Sequence, residues 1–346
     1  MVLNRETVLK ALHNETVDQV PTSFWRHFSD NEFTNAATNP SVLTTNLTGH
    51  RSYYQAVDVD FAKTMLDGYF PYPFHGVKDP KDMSDLHNLR PIADDDPWLT
   101  GQVALANQQK EIAGERPTFV TMFSPLFLLK WALIEHYKEP LLLADKRFAD
   151  MYEADPQLIL HVLKVLGDDQ KKVARALMTA SNIDGIYYST QEIQDPRTQT
   201  SKFFEEVMEP VDIDVQNTIN AVSPLNILHI CGFDGADNHL DWFVNYPLQV
   251  INWATETDGY TLAEGKKLFG DRPVMGGFDN STKGVLYRGN KQQIQDKVHA
   301  LIAEAGKQGV LLGADCTVPR DIDYDHLRWA IEAAHDQRRN HLATNR

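Results

Sequence analysis

Residues 225–235 read LNILHICGFDG. The run NILHICG, 226–232, is short, apolar and β-branched and is closed by a glycine, as expected of a buried strand. It also carries His229 and Cys231 two positions apart. Residues two apart in a strand point to one face, so both side chains share whatever that face meets.

Seven further runs of the same kind lie on either side. PTSFW (21–25), VDFAK (59–63), TFVTMFS (118–124) and GIYYST (185–190) precede it; VINWA (250–254), PVMGGFD (273–279) and GVLLGAD (309–315) follow. Helical periodicity fills the gaps. In KQQIQDKVHALIAEAG, 291–306, Ile294, Val298, Leu301 and Ile302 form one stripe. DPQLILHVLKVLGDDQKKVARALMTA, 155–180, is a longer helical stretch with an expected interruption at Gly167. DYDHLRWAIEAAHDQRR, 323–339, opens with acids and ends with arginines, as a helix dipole favours.

Eight strands alternating with helices predict an α/β fold, a single (β/α)8 barrel spanning residues 1–346 as one domain, with an N-terminal extension. An open doubly wound sheet is the alternative, because strand order is not written in this pattern. Pro21 confines the first strand to an early position. Residues 64–98, rich in proline, aspartate and aromatics, are long for a plain connection and read as a lid or an excursion after the second strand.

Composition limits the function. A formal charge of −15 with scattered basic residues argues against nucleic-acid binding. No apolar run reaches the roughly 18 residues of a membrane span, and MVLNRETVLKALHN lacks a secretory apolar core, so the expectation is a soluble cytoplasmic protein without membrane insertion. Two cysteines are too few for a disulfide framework.

The second cysteine, Cys316, lies just beyond the eighth strand. In a closed barrel the fifth and eighth strands end at one mouth, where His229, Cys231 and Cys316 can meet around a zinc ion with its fourth position free. Three separate uses, a core thiol, a paired histidine and a loop thiol, are the plainer reading. A Cys316–His229 nucleophile pair is a third.

Other mouth candidates follow from placement. Asp67, ahead of Gly68, binds substrate N–H groups or caps a turn. Arg26 binds an anion or makes a surface ion pair. Only one of Tyr187 and Tyr188 can point inward. Asp279 closes GGFDN, whose glycines permit close approach of a ligand or a tight strand exit.

The ordered series VDQVPTSFWRHF (17–28), KTMLDGYF (63–70), HICG (229–232), VMGGFDNS (274–281) and LLGADCTVPRDIDYDHLRWAIEAAH (311–335) resembles the uroporphyrinogen decarboxylase superfamily, which also contains cobamide-dependent methyltransferases. The resemblance implies a single (β/α)8 barrel with its cleft at the C-terminal strand ends. In its decarboxylase branch Asp67 would gather pyrrole N–H groups and Arg26 would match one carboxylate-binding arginine, with no cofactor. The fuller arginine loop is missing, however; Trp131 stands where that branch has a tyrosine, and Cys316 where it has a histidine.

The methyltransferase branch binds zinc through a histidine, a cysteine two residues on and a distant cysteine, the set formed by His229, Cys231 and Cys316. The resemblance therefore implies methyl transfer between a corrinoid carrier, protein-bound or free, and a small thiol. Arg26, Trp131, Tyr188 and Asp279 would border the corrinoid, and a carboxylate or carbonyl would orient the second nitrogen of His229. A homodimer stays open. Tetrapyrrole decarboxylation and a non-catalytic corrinoid- or tetrapyrrole-binding barrel are the alternatives.

Overall fold

The computed structural model describes residues 2–135 and 138–336. All eight predicted strands form: β1 Thr22–Ser23, β2 Ala62–Thr64, β3 Thr118–Phe123, β4 Gly185–Thr190, β5 Ile227–Ile230, β6 Val250–Asn252, β7 Val274–Phe278 and β8 Val310–Ala314. They pair in parallel in the order β1-β8-β7-β6-β5-β4-β3-β2, the order of a barrel rather than of a doubly wound sheet.

The remaining seam, between β1 and β2, is drawn together by single bonds. Ser23 Oγ donates to the Phe61 carbonyl at 2.6 Å, and the Asp60 N–H to the Thr22 carbonyl at 3.1 Å. The Asp60 carboxylate also accepts from the Thr22 N–H at 2.8 Å. β1 is two residues long and starts directly after Pro21, which has no N–H to donate.

Helices cover the outside, and their sequences explain their limits. Lys291–Ala305 starts with a capping box between Asn290 and Gln293 and buries the expected stripe of Ile294, Val298, Leu301 and Ile302. Pro156–Ala180 is capped by Asp155, which accepts from the Leu158 N–H at 3.0 Å. It runs unbroken through Gly167, against expectation. A mid-helix glycine costs about 1 kcal/mol, and the buried stripe from Leu158 to Leu177 outweighs that. The last helix spans Tyr324–Ala334, capped by Asp323; Arg338 and Arg339, expected at its end, lie outside the described residues. The β5–β6 connection carries a 3-10 segment, Leu240–Asn245, in place of an α-helix.

Two additions to the barrel matter for its ends. The N-terminal helix Arg5–Leu12 buries Val8, Ala11 and Leu12 in one cluster with Phe61, Phe119, Leu225 and Val250, residues at or just before the strand starts, and so plugs the bottom. The excursion after β2 is tied to the Pro156–Ala180 helix: Asp169 accepts from the Tyr72 hydroxyl at 2.5 Å and the Ile92 N–H at 2.9 Å. From it Phe70 reaches into the opposite end of the barrel, the mouth. No described helix is long and apolar enough to cross a membrane.

Candidate metal centre

Strand parity sets the first two members of the site. In β5, Leu228 and Ile230 face the helices, whereas Ile227 joins the barrel interior, and His229 and Cys231 line the mouth on the same side. The Cys231 N–H still bonds the Thr190 carbonyl at 2.8 Å, so Cys231 keeps the strand's direction one residue past its end. Cys316 arrives differently. The chain bends at Asp315 and Cys316 after β8, and the Asp315 carboxylate fixes that bend by accepting from the Gly277 N–H at 3.0 Å and the Thr255 hydroxyl at 2.7 Å.

The three residues meet. His229, Cys231 and Cys316 are 2%, 5% and 8% exposed, and one ligand atom from each lies within 4.8 Å of the others. Among the described residues this is the cluster of histidine, cysteine and acid side chains close enough to share an ion. The sulfurs are 3.8 Å apart and both thiols are free. Two sulfurs at about 2.3 Å from a tetrahedral zinc would also stand about 3.8 Å apart, so the cysteine pair already has the spacing the metal requires.

The sulfurs agree with that fit; Nδ1 of His229, by contrast, is buried without a hydrogen-bond partner. The Cys316 thiol is pulled well down by its hydrogen bond from Cys231, against the cost of burial, and the same bond pushes Cys231 up. Two adjacent buried sulfurs, one of them biased toward the thiolate, are a natural seat for a cation. The carboxylate or carbonyl expected to orient the second nitrogen of His229 is not found at Nδ1; the Tyr187 ring packs on the imidazole instead, 5.1 Å between centroids and tilted 30°.

The ligand loop is held from behind. The Cys231 carbonyl accepts from Gln191 Nε2 at 2.9 Å and Asn238 Nδ2 at 3.2 Å, and Gln191 also binds the Phe233 carbonyl at 2.9 Å. Lys130 donates to Gln191 Oε1 and pairs with Asp145 at 2.7 Å, both side chains 1% exposed. Burial disfavours both charges, lowering the Lys130 pKa and raising that of Asp145.

Above the cluster opens a cleft, continuous with solvent and walled by Trp25, Phe70, Phe123, Phe127, Trp131 and Phe233. Lys63 and Glu32 are its charged members, with His27 beside them. Lys63 is 5% exposed; burial pulls its pKa down to about 8, opposed by the negative charge of Cys316, Asp67 and Cys231.

The sequence candidates are distributed unevenly around this cleft. Trp131 lines it, stacked on Phe127 at 5.0 Å, with its Nε1 buried and partnerless. Of the two tyrosines, Tyr187 faces the cleft and its hydroxyl donates to Asn252 at 2.7 Å. Tyr188 turns outward, where Asp212 accepts from its hydroxyl at 2.8 Å; parity makes the two directions exclusive. Asp67 is wholly buried and accepts from the Phe28 and Ser29 N–H groups at 3.0 and 3.2 Å, with His27 Nδ1 at 2.6 Å. These contacts and desolvation act on it in opposite senses, and its pKa falls to about 2.

Arg26 donates to the Tyr324 hydroxyl at 3.0 Å beside the barrel, outside the cleft lining. Asp279 accepts from Ser281 N and Oγ at 2.7 and 2.9 Å in a local turn. The glycines before it serve the strand exit: Gly276 and Gly277 have φ of +139° and +100°, and a side chain there would meet Asn252, Asp315 and Leu301.

Lys63, Gln191 and the Lys130–Asp145 pair were not anticipated. A lysine alternating with Phe61 and Met65 in FAKTM was the available signal for the first, since it places a charge on the inward face of a strand.

Residues 57–337 match the family of uroporphyrinogen decarboxylase (URO-D). The chain belongs to this family. The match contains Asp67 and all three cluster residues and begins after Arg26. Among solved structures, the URO-D barrel here is similar to a methyltransferase from Methanosarcina mazei, with 14% identity, a TM-score of 0.64, and 96% of this chain and 98% of that one covered. It is similar also to a B12-independent methionine synthase from Shewanella sp. W3-18-1 in complex with selenomethionine, with 14% identity, a TM-score of 0.54, and 94% and 99% covered. At these identities the likeness is one of fold. No curated protein sequence matches the chain.

Proposed function

We propose that this URO-D barrel is a zinc-dependent enzyme that transfers a methyl group from a corrinoid carrier to a small thiol. The observation that carries the reading is the convergence of His229, Cys231 and Cys316, with sulfurs 3.8 Å apart, at the floor of an aromatic cleft. When bound there, zinc would supply positive charge and an open position that favours a substrate thiol in its thiolate form.

The chain's own residues do the rest. Gln191 and Asn238 fix the Cys231 carbonyl and with it the loop that carries the sulfur. Trp25, Phe123 and Trp131 wall the cleft with apolar surface, which lowers the local dielectric and strengthens charge interactions beside it. Tyr187, anchored by Asn252, holds the face of the imidazole. Methyl transfer rests on the resemblance of the His229, Cys231 and Cys316 set to that of the cobamide-dependent methyltransferase branch.

The second reading is decarboxylation of tetrapyrrole acetate groups. The family match names it, and on that ground the comparisons support it more directly than methyl transfer. The cleft supports it less: Asp67 is already engaged by His27 and two backbone N–H groups, and Lys63 and His27 are few basic groups for a substrate with many carboxylates. Protein purified without chelator separates the two. About one zinc per chain, with methyl transfer from methylcobalamin to a thiol that stops on zinc removal, supports the first reading. Carbon dioxide release from uroporphyrinogen by metal-free protein, with no zinc retained, replaces it with the second.

A further inference from the structure

His27 lies two residues past Trp25 on the exit from β1, and both line the cleft. Its ring is held at one nitrogen. Nδ1 is 2.6 Å from one oxygen of Asp67, whose other oxygen accepts from the Phe28 and Ser29 N–H groups at 3.0 and 3.2 Å. Burial raises the Asp67 pKa, yet the charge and hydrogen bond of His27, with the two N–H groups, bring it down to about 2. The carboxylate is therefore ionised and can only accept, so the proton of a neutral ring sits on Nδ1. Phe70 packs on the imidazole at 5.4 Å between centroids. Nε2 is left over: among the described residues it has no hydrogen-bond partner, and the side chain is 15% exposed.

The other titratable groups of the lining are committed. Glu32 pairs with Arg320 at 2.5 Å, and His229, Cys231 and Cys316 form the cluster. Lys63, with a pKa lowered by burial to about 8, is mostly an ammonium at neutral pH and has no lone pair to offer. His27 is thus the basic group of the lining with a free lone pair. It also enters from the right quarter. The Val318 N–H donates to the Trp25 carbonyl at 3.0 Å, which lays the chain after Cys316 against the chain before His27. The two side chains reach the cleft from neighbouring strands, β8 and β1.

We propose that His27 is the proton acceptor of the cleft and Asp67 its positioning residue. The S–H bond of the substrate thiol breaks, its electron pair stays on sulfur, and the proton passes to Nε2, directly or through one water. The Asp67 carboxylate holds the ring in the tautomer that can accept and faces the imidazolium that forms. The proton then leaves to solvent at the open side of the cleft. This assignment rests on the thiol reading above and adds to it a residue outside the zinc cluster.

The first test uses full-length, zinc-loaded protein with methylcobalamin and 2-mercaptoethanol. His27→Ala lowers kcat by about 100-fold or more while KM for the thiol moves by less than about threefold. Added imidazole restores at least about tenfold of that loss, relative to wild type at the same concentration, and more basic imidazoles restore more. His27→Gln is slow, and so is Asp67→Asn, whose amide would donate to Nδ1 and drive the ring proton to Nε2. All three retain zinc as wild type does. The second test uses metal-free protein labelled with 15N-histidine. A far-downfield ring N–H resonance is present in wild type and absent from both His27→Gln and Asp67→Asn.

An active wild type whose kcat survives His27→Ala, or a slow His27→Ala that no imidazole rescues, overturns the assignment. Should His27→Ala not fold, wild-type kcat in His27→Gln or Asp67→Asn overturns it equally. Zinc-loaded wild type that methylates no thiol removes the thiol reading itself, and the assignment falls with it.

Discussion

Cys231 and Cys316 are 85 residues apart in the chain and 3.8 Å apart at their sulfurs. Nothing local brings them together. Cys231 is delivered by the parity of β5, and Cys316 by a bend after β8 that the Asp315 carboxylate pins to β7. The site is therefore a property of barrel closure, and both halves are needed for a closed three-ligand set.

Replacing Cys316 with alanine leaves one sulfur and one imidazole, too few for a structural or catalytic zinc position. Retained zinc after dialysis against a chelator, measured by elemental analysis, should fall from about one per chain to below a tenth of that. Ser281→Ala, in the local turn at Asp279, should retain the wild-type amount. Equal retention by the two variants would refute the cluster as the metal centre.

The buried Lys130–Asp145 pair braces the ligand loop through Gln191. Lys130→Met strands an uncompensated carboxylate and should destabilise the fold by about 3–5 kcal/mol in urea unfolding. The double variant Lys130→Met/Asp145→Leu removes both charges and should recover most of that loss. If the double variant is as unstable as the sum of the singles, the pair is not the source of the cost.

Much of the architecture was legible because each strand is a compact apolar run bounded by glycine, proline or aspartate, and because the repeat of eight leaves few closed topologies. The His229–Cys231 half of the site was legible from parity alone. The direction of Cys316 was not: strand parity groups it with the outward-facing Leu312 and Ala314, and only the bend at Asp315 turns it to the mouth. Tyr187 and Tyr188 differ only in phase, which a strand of uncertain register does not reveal. The unbroken helix through Gly167 depends on packing beyond it, where Pro125 and Val215 come within ordinary contact. Lys63 and the Lys130–Asp145–Gln191 chain join β2, β4 and two helices, so no single window of sequence contains them.

Trp131 carries a buried indole N–H with no partner, between the cleft and the adjoining groove of Phe33, Pro71 and Phe74. An unsatisfied buried donor costs about 1–3 kcal/mol. Trp131→Phe removes that donor but also aromatic area stacked on Phe127, so stability should change by less than about 1 kcal/mol in either direction. Binding of a cleft ligand should weaken by about tenfold where the N–H serves it. A large loss of stability with unchanged binding would assign Trp131 to packing alone.

His50 gives the fold an acid limit unrelated to the metal cluster. It is fully enclosed in the Ser41–Ala56 helix; Nδ1 is 2.9 Å from the Asn46 carbonyl and Nε2 accepts from the Met65 N–H at 3.2 Å, so the ring is neutral with its proton on Nδ1. Burial lowers its pKa to about 4. Between that value and the unfolded value of about 6.5 the unfolded chain binds a proton that the native state refuses, so stability rises with pH across this window. The contribution is intact above pH 6.5 and is lost as pH falls toward 4, in total about 3 kcal/mol. His50→Gln, which can pair with both backbone groups and does not titrate, should flatten the urea-unfolding free energy between pH 4 and 6.5. A wild-type curve no steeper than that of the variant over this range would contradict the assignment.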